Sequence, residues 1–167
     1  MKIPSWTLIA CYLASAIVAN MLAWRFGQLA LVWTAAMLIP FDFLARDVLH
    51  RRWELEGAVR ARMLCLVVLG SVVTWILNPA AGSVALGSGM AFATSSSIDA
   101  LLFALVRGSL FKRAMLSNVI GSITDSIVFP AVAFGVVDFC LSASQVVLKL
   151  VGGLVWLYIW ECFSHES

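Results

Sequence analysis

Two strings, SSSIDALLF at residues 95–103 and GSITDSIVF at residues 121–129, decide how this chain reads. Each carries a Ser, an Asp three residues on and a Phe four residues after that: Ser96, Asp99 and Phe103, then Ser122, Asp125 and Phe129. The i, i+3, i+7 spacing puts the three side chains on one face of a helix. Both strings lie inside long apolar runs, where a carboxylate at the centre of a membrane helix costs about 2.5–3.5 kcal/mol on insertion scales. Two such residues in consecutive helices imply use. If the helices pack antiparallel, the two faces can meet in a polar pocket with aromatic walls.

The surrounding composition supports that setting. The chain has 167 residues, 62% hydrophobic and 12% charged, with a mean hydropathy of +0.99. A soluble domain carries about 25% charged residues. The apolar runs are continuous, whereas barrel strands alternate over segments of about ten residues. The expectation is an all-α polytopic membrane protein forming a single transmembrane domain over residues 1–167. Cys11, Cys65, Cys140 and Cys162 form no C-x-x-C pair and read as small packing residues.

A spanning helix needs about 20 residues. Six stretches qualify, near 5–24, 29–46, 58–77, 83–106, 114–134 and 143–160. The first has no evident small-residue cleavage site and reads as a real helix, not a signal peptide. Pro4 suits its N-terminal turn, Pro40 is expected to kink the second, and Asn78 to Gly82 is a turn ending the third. With six crossings, one side holds Lys2, Arg46, Arg51, Arg52, Arg60, Arg62, Arg107, Lys112 and Arg113, and the other only Arg25. The positive-inside rule then puts both termini in the cytoplasm. Asp99 and Asp125 would sit near the midplane, within about a helical turn of each other, where transporters hold substrate. Small residues between Ala85 and Ser97 allow close helix packing, with the serines there, Ser95 and Ser96 among them, shared between packing and pocket lining.

The residues suit a flat, nitrogen-rich ligand. A carboxylate accepts two parallel N–H bonds from a guanine-type edge, a role open to Asp125 or Asp99. Phe41, Phe43, Phe92, Phe103 and Phe129 are candidates for stacking, and Asn118 and Asn20 can donate to a carbonyl oxygen. Lys149, inside the last span, can line the site or neutralise either Asp as a buried pair. Asp42 and Asp47 can pair with Arg46, Arg51 or Arg52 near the cytoplasmic rim, as structural bridges or as a gate. The arginines from Arg46 to Arg62 fit anionic headgroups better than nucleic acid. His50 and His165 are isolated, and no phosphate loop, zinc-protease or nucleophile-elbow motif occurs. No enzyme activity, metal or cofactor is expected. A homodimer is compatible with so many small residues.

Three segments together resemble a known family. FDFLARDVLHRRW (residues 41–53), AFATSSSID (91–99) and SNVIGSITDSIVF (117–129) look like the queuosine-precursor transporters, also labelled vitamin uptake transporters. Asp47, Asp99, Asp125 and Lys149 fall where that family places charged residues, and Ser95, Ser117, Ser126 and Phe129 also match. Arg51 and Ser96 each stand where the family usually has Glu. The resemblance spans Pro40 to Lys149. It implies import of a 7-deazaguanine base, such as 7-cyano-7-deazaguanine, across the bacterial inner membrane. The alternative is a substrate-binding membrane subunit energised by a separate ATPase.

Overall fold

A computed structural model describes residues 4–54, 59–106 and 110–165. Among them are seven α-helices and no strand: α1 (Ser5–Phe26), α2 (Gln28–Ala36), α3 (Leu38–Glu54), α4 (Val59–Leu77), α5 (Gly82–Leu105), α6 (Leu110–Phe134) and α7 (Phe139–His165). Pro4 is extended (φ −62°, ψ 148°) and starts α1. Gly27 ends it at φ 61°, a left-handed conformation that favours glycine, with its N–H on the Ala23 carbonyl at 2.9 Å. Asn78 accepts the Ala80 N–H at 3.1 Å, and Pro79–Ala81 makes the expected turn into α5.

The second expected span is two helices meeting at a 50° bend. The break falls at Met37, three residues before Pro40. Proline has no N–H, so the carbonyl four residues back, that of Ala36, loses its helical donor and the ladder fails there. The α3 helix then continues to Glu54, eight residues past the expected end at Arg46.

Helices α5 and α6 are antiparallel, as expected, and close enough that a Cβ at Gly87 would lie 3.0 Å from Ala133 Cβ and 3.2 Å from the Phe129 carbonyl oxygen. Eight residues on, the Ser95 hydroxyl donates to the Gly121 carbonyl at 3.3 Å. Gly87, Ala91 and Ser95 thus form a small-residue seam one turn apart. This register sets position 99 opposite residues near 117, roughly two turns from Asp125 along the axis. The two carboxylate-bearing positions are therefore not side by side as their separate depths suggest.

The outside of the molecule is strongly apolar, and most of the buried polar side chains on its spanning helices point inward. On α7, Ser142, Gln145 and Lys149 are buried and Trp156 donates its indole N–H to the Met37 carbonyl at 2.9 Å. The opposite face exposes Val147, Val151, Leu154, Val155 and Leu157. In water that arrangement would be unstable; in lipid it is the low-energy one, because buried polar groups need internal partners while apolar side chains need none. By length and composition, Ser5–Phe26 and Phe139–Cys162 can each cross a membrane, and Gln28–Ala36 with Leu38–Arg46 can do so as one bent span. All four cysteines are exposed rather than packed inside; they do not fill the core as expected.

Two apolar clusters stand at opposite ends. One joins Leu8, Tyr12, Ala45, Leu49, Trp53, Met63 and Leu66. The other joins Ala23, Leu31, Val84 and Ala133, with Phe129, Phe134 and Leu141 against it. On α1, α3, α4, α6 and α7, buried polar residues lie on the side toward the other cluster: Ser15 and Asn20, Asp42, Thr74, Ser126, Lys149. A polar layer is held between two apolar plugs.

Candidate functional site

A cavity of about 70 Å³ opens in that layer. Tyr12 and Asn20 come from α1, Asp42, Phe43 and Arg46 from α3, Ser71 from α4, Ser88, Phe92 and Ser95 from α5, and Asp125 from α6. Its carboxylates have different surroundings. Asp125 is held from behind by Lys149 of α7, whose ammonium also donates to the Ser126 hydroxyl at 2.7 Å. The Lys149 side chain is 2% exposed and that of Asp125 22%, so the lysine is sealed in while the carboxylate reaches the cavity. The Ser126 carbonyl in turn accepts the Ser142 hydroxyl at 2.9 Å.

Asp42 sits across the cavity and has a hydroxyl, not a cation, as its partner. The Ser15 hydroxyl is within hydrogen-bond reach of the Asp42 carboxyl and of the Tyr12 carbonyl oxygen, the latter at 3.1 Å. Arg46, one turn beyond Asp42, instead lies over the rings of Phe43 (4.9 Å to the centroid) and Phe92 (5.3 Å). These cation–π contacts tie α3 to α5 at the cavity end nearer the Tyr12 cluster. Toward the other end, Asn20 donates to the Thr74 hydroxyl at 3.2 Å, and that hydroxyl donates to the Gly70 carbonyl at 2.8 Å.

The structure therefore brings Asp125, Asn20, Phe92, Ser95 and Asp42 to one cavity, with Lys149 directly behind Asp125. It does not bring Asn118, Ser122, Phe129 or Ser96 to its wall. Asn118 faces outward, and Ser122 is buried outside the cavity. Phe129 meets Phe134 edge-on at 5.9 Å in the far apolar cluster. The side chains of Asp99, Asp47 and Arg51 lie outside the described residues. Asp42 is not at the rim, because α3 runs on to Glu54 and leaves it mid-layer.

Sequence reasoning missed Tyr12, Ser15 and Ser71, whereas Ser88 lies in the stretch whose serines are expected to share packing and pocket lining. A signal existed on α1: Tyr12, Ser15, Ala19, Asn20 and Ala23 are polar or small at helical spacing, and all are buried. Among the described residues no group of three His, Cys, Asp or Glu side chains is placed to hold a metal ion.

A narrow wall separates this cavity from a larger apolar groove of about 390 Å³ between α4 and α5. Val67, Ser71 and Phe92 line both.

Comparison with known proteins bears on this arrangement. No curated protein and no solved structure gives a significant match. A family model described as "Putative vitamin uptake transporter" matches residues 33–163, a stretch that includes Asp42, Arg46, Phe92, Ser95, Asp125 and Lys149. An α-helical chain with a buried polar layer, an apolar exterior and a match over most of its length belongs to the vitamin uptake transporter family.

Proposed function

We propose that the chain imports a 7-deazaguanine queuosine precursor, 7-cyano-7-deazaguanine or a related base, across the bacterial inner membrane, with six crossings and both termini in the cytoplasm. The observation that carries this reading is the cavity between the two apolar plugs, where a carboxylate and aromatic rings face one space. Asp125 can still accept two parallel N–H donors, because Lys149 takes one acceptor site on Oδ2 and leaves the other one and Oδ1 free. Phe92 and Phe43 offer faces for stacking, and Asn20 offers an amide to a ring carbonyl.

At about 70 Å³ the cavity has room for a few waters, whereas ligand pockets usually span about 300–1,000 Å³. Binding the base therefore requires a wider state. Swinging Phe92 aside would join the cavity to the α4–α5 groove and supply the missing volume. Alternating access then amounts to loosening one plug at a time around a fixed site.

The test is binding and uptake of the pure protein in lipid vesicles. 7-Cyano-7-deazaguanine should raise the thermal midpoint, with guanine weaker and adenine inert, and Asp125→Asn should abolish uptake. A chain that is not stabilised by any 7-deazaguanine, or an Asp125→Asn variant with full uptake, would overturn the reading.

A further inference from the structure

Resting on that transport reading, we propose that Ser15 and Asp42 form a proton-binding pair, so that a proton enters with each substrate molecule. The reason is a mismatch in hydrogens. The Ser15 hydroxyl has one proton and two acceptors in reach, the Tyr12 carbonyl oxygen at 3.1 Å and the Asp42 carboxyl. It can serve only one of them at a time. When it points to Tyr12, the contact between Ser15 and Asp42 needs a proton on the carboxyl. When the carboxyl is bare, the hydroxyl must turn toward it. The pair thus has two arrangements that differ by one proton and one hydroxyl rotation, with no backbone movement.

The neighbours leave the pair free to do this. Asp42 is 9% exposed and borders the cavity. Facing it are Tyr12 on α1, Arg46 on its own helix and Asp125 on α6; the cavity residues of α4 and α5 are Leu66, Val67, Gly70, Ser71, Ser88, Phe92 and Ser95, none of which titrates. Arg46 stacks on Phe43 and Phe92, and Asp125 is neutralised by Lys149. Among the described residues no basic nitrogen lies within ion-pair distance of Asp42. The two acids divide the work: the one tied to Lys149 grips the ligand, and the one tied only to Ser15 exchanges a proton. The proton comes from water on the outer side, adds to the Asp42 carboxylate, and returns to water on the inner side. With a neutral base as cargo, one positive charge moves inward per cycle.

Two measurements on the intact protein test this. In vesicles with the membrane potential clamped, an inward gradient of one pH unit should drive about tenfold accumulation of labelled 7-cyano-7-deazaguanine. Asp42→Asn should remove that accumulation, so that any remaining uptake only equilibrates. Asp42→Glu keeps the acid and should keep accumulation. Gradient-driven accumulation that survives in Asp42→Asn overturns the proposal. The second measurement needs no substrate. All nine acids contribute to the infrared carbonyl stretch of protonated carboxyls, so the readout is the wild-type-minus-variant difference. A component that appears and vanishes with pH should persist in Asp125→Asn, be lost in Asp42→Asn, and shift in pH in Ser15→Ala. If no component is lost in Asp42→Asn, the pair is not the proton site. If the wild-type protein moves no 7-deazaguanine but the band behaves as described, the substrate reading fails and the proton site stands.

Discussion

Gly152 of α7 lies against Pro40 of α3 so closely that a Cβ at Gly152 would stand 2.6 Å from Pro40 Cγ and 2.5 Å from the Ala36 carbonyl oxygen. The glycine touches the very place where proline breaks the second span. The exposed carbonyl and the bend let α7 pack into the break, and Trp156 completes the contact from one turn on.

Gly152→Ala should therefore destabilise the protein by about 1–3 kcal/mol, the usual cost of overpacking. Gly153→Ala is the control: nothing lies within 4 Å of a Cβ there, and alanine gains up to about 1 kcal/mol over glycine in a helix. Thermal unfolding in detergent should separate the two neighbours in opposite directions. Equal effects would show that the close approach to Pro40 is not felt.

Lys149→Met should lower stability more than Lys149→Met combined with Asp125→Asn. Removing one partner of an enclosed ion pair costs about 3–5 kcal/mol. Asp125 is partly open to the cavity, 22% exposed, so about 2–3 kcal/mol is expected here. The double variant should recover much of it while remaining unable to bind substrate. Unfolding midpoints of the wild type and three variants, combined as a cycle, give the coupling directly.

Gln145→Met should be neutral or stabilising. Among the described residues the Gln145 Nε2 is buried without a partner, and an unmet buried donor costs about 1–3 kcal/mol. Methionine has nearly the same shape and no such debt. A loss of more than about 1 kcal/mol on unfolding would show that the amide has a partner, such as an enclosed water.

Phe92→Ala and Phe129→Ala should differ in kind. Phe92 borders the cavity and holds Arg46; losing a stacking face should weaken ligand binding by about 1–3 kcal/mol, or roughly 5- to 150-fold in Kd. Phe129 is part of the far apolar cluster; its loss should cost about 3–5 kcal/mol in stability with little change in Kd. Ligand titration alongside thermal unfolding checks both, and a binding loss confined to Phe129→Ala would reverse the assignment.

The helices and their ends are largely legible in the sequence, because proline, glycine and asparagine act locally: Pro4 opens α1, Gly27 closes it, and Asn78 with Pro79 divides α4 from α5. The small-residue seam is legible for the same reason. Depth is not. Asp42 reads as a rim residue when the second span is taken to stop at Arg46, and the continuation of α3 to Glu54 is what leaves it inside. Nor does a lone serine in a helix announce a partner, since its hydroxyl can always bond its own backbone; Ser15 does so and reaches Asp42 as well. Asp125 stands out as an acid in an apolar run and Lys149 as a cation able to pair with it or with Asp99; which of the two it takes is decided by the folded α6–α7 pair, which joins residues 24 positions apart.

The two apolar plugs draw their side chains from partly separate sets of residues, Leu49, Trp53 and Met63 at one end, Leu31, Val84 and Ala133 at the other. If the chain imports its base as proposed, either seal could part while its counterpart holds, and solute would pass without a continuous water column. A variant trimmed at both ends would do worse than one that merely stops importing: it would leak, and the cell would lose its proton store before it felt any shortage of nutrient.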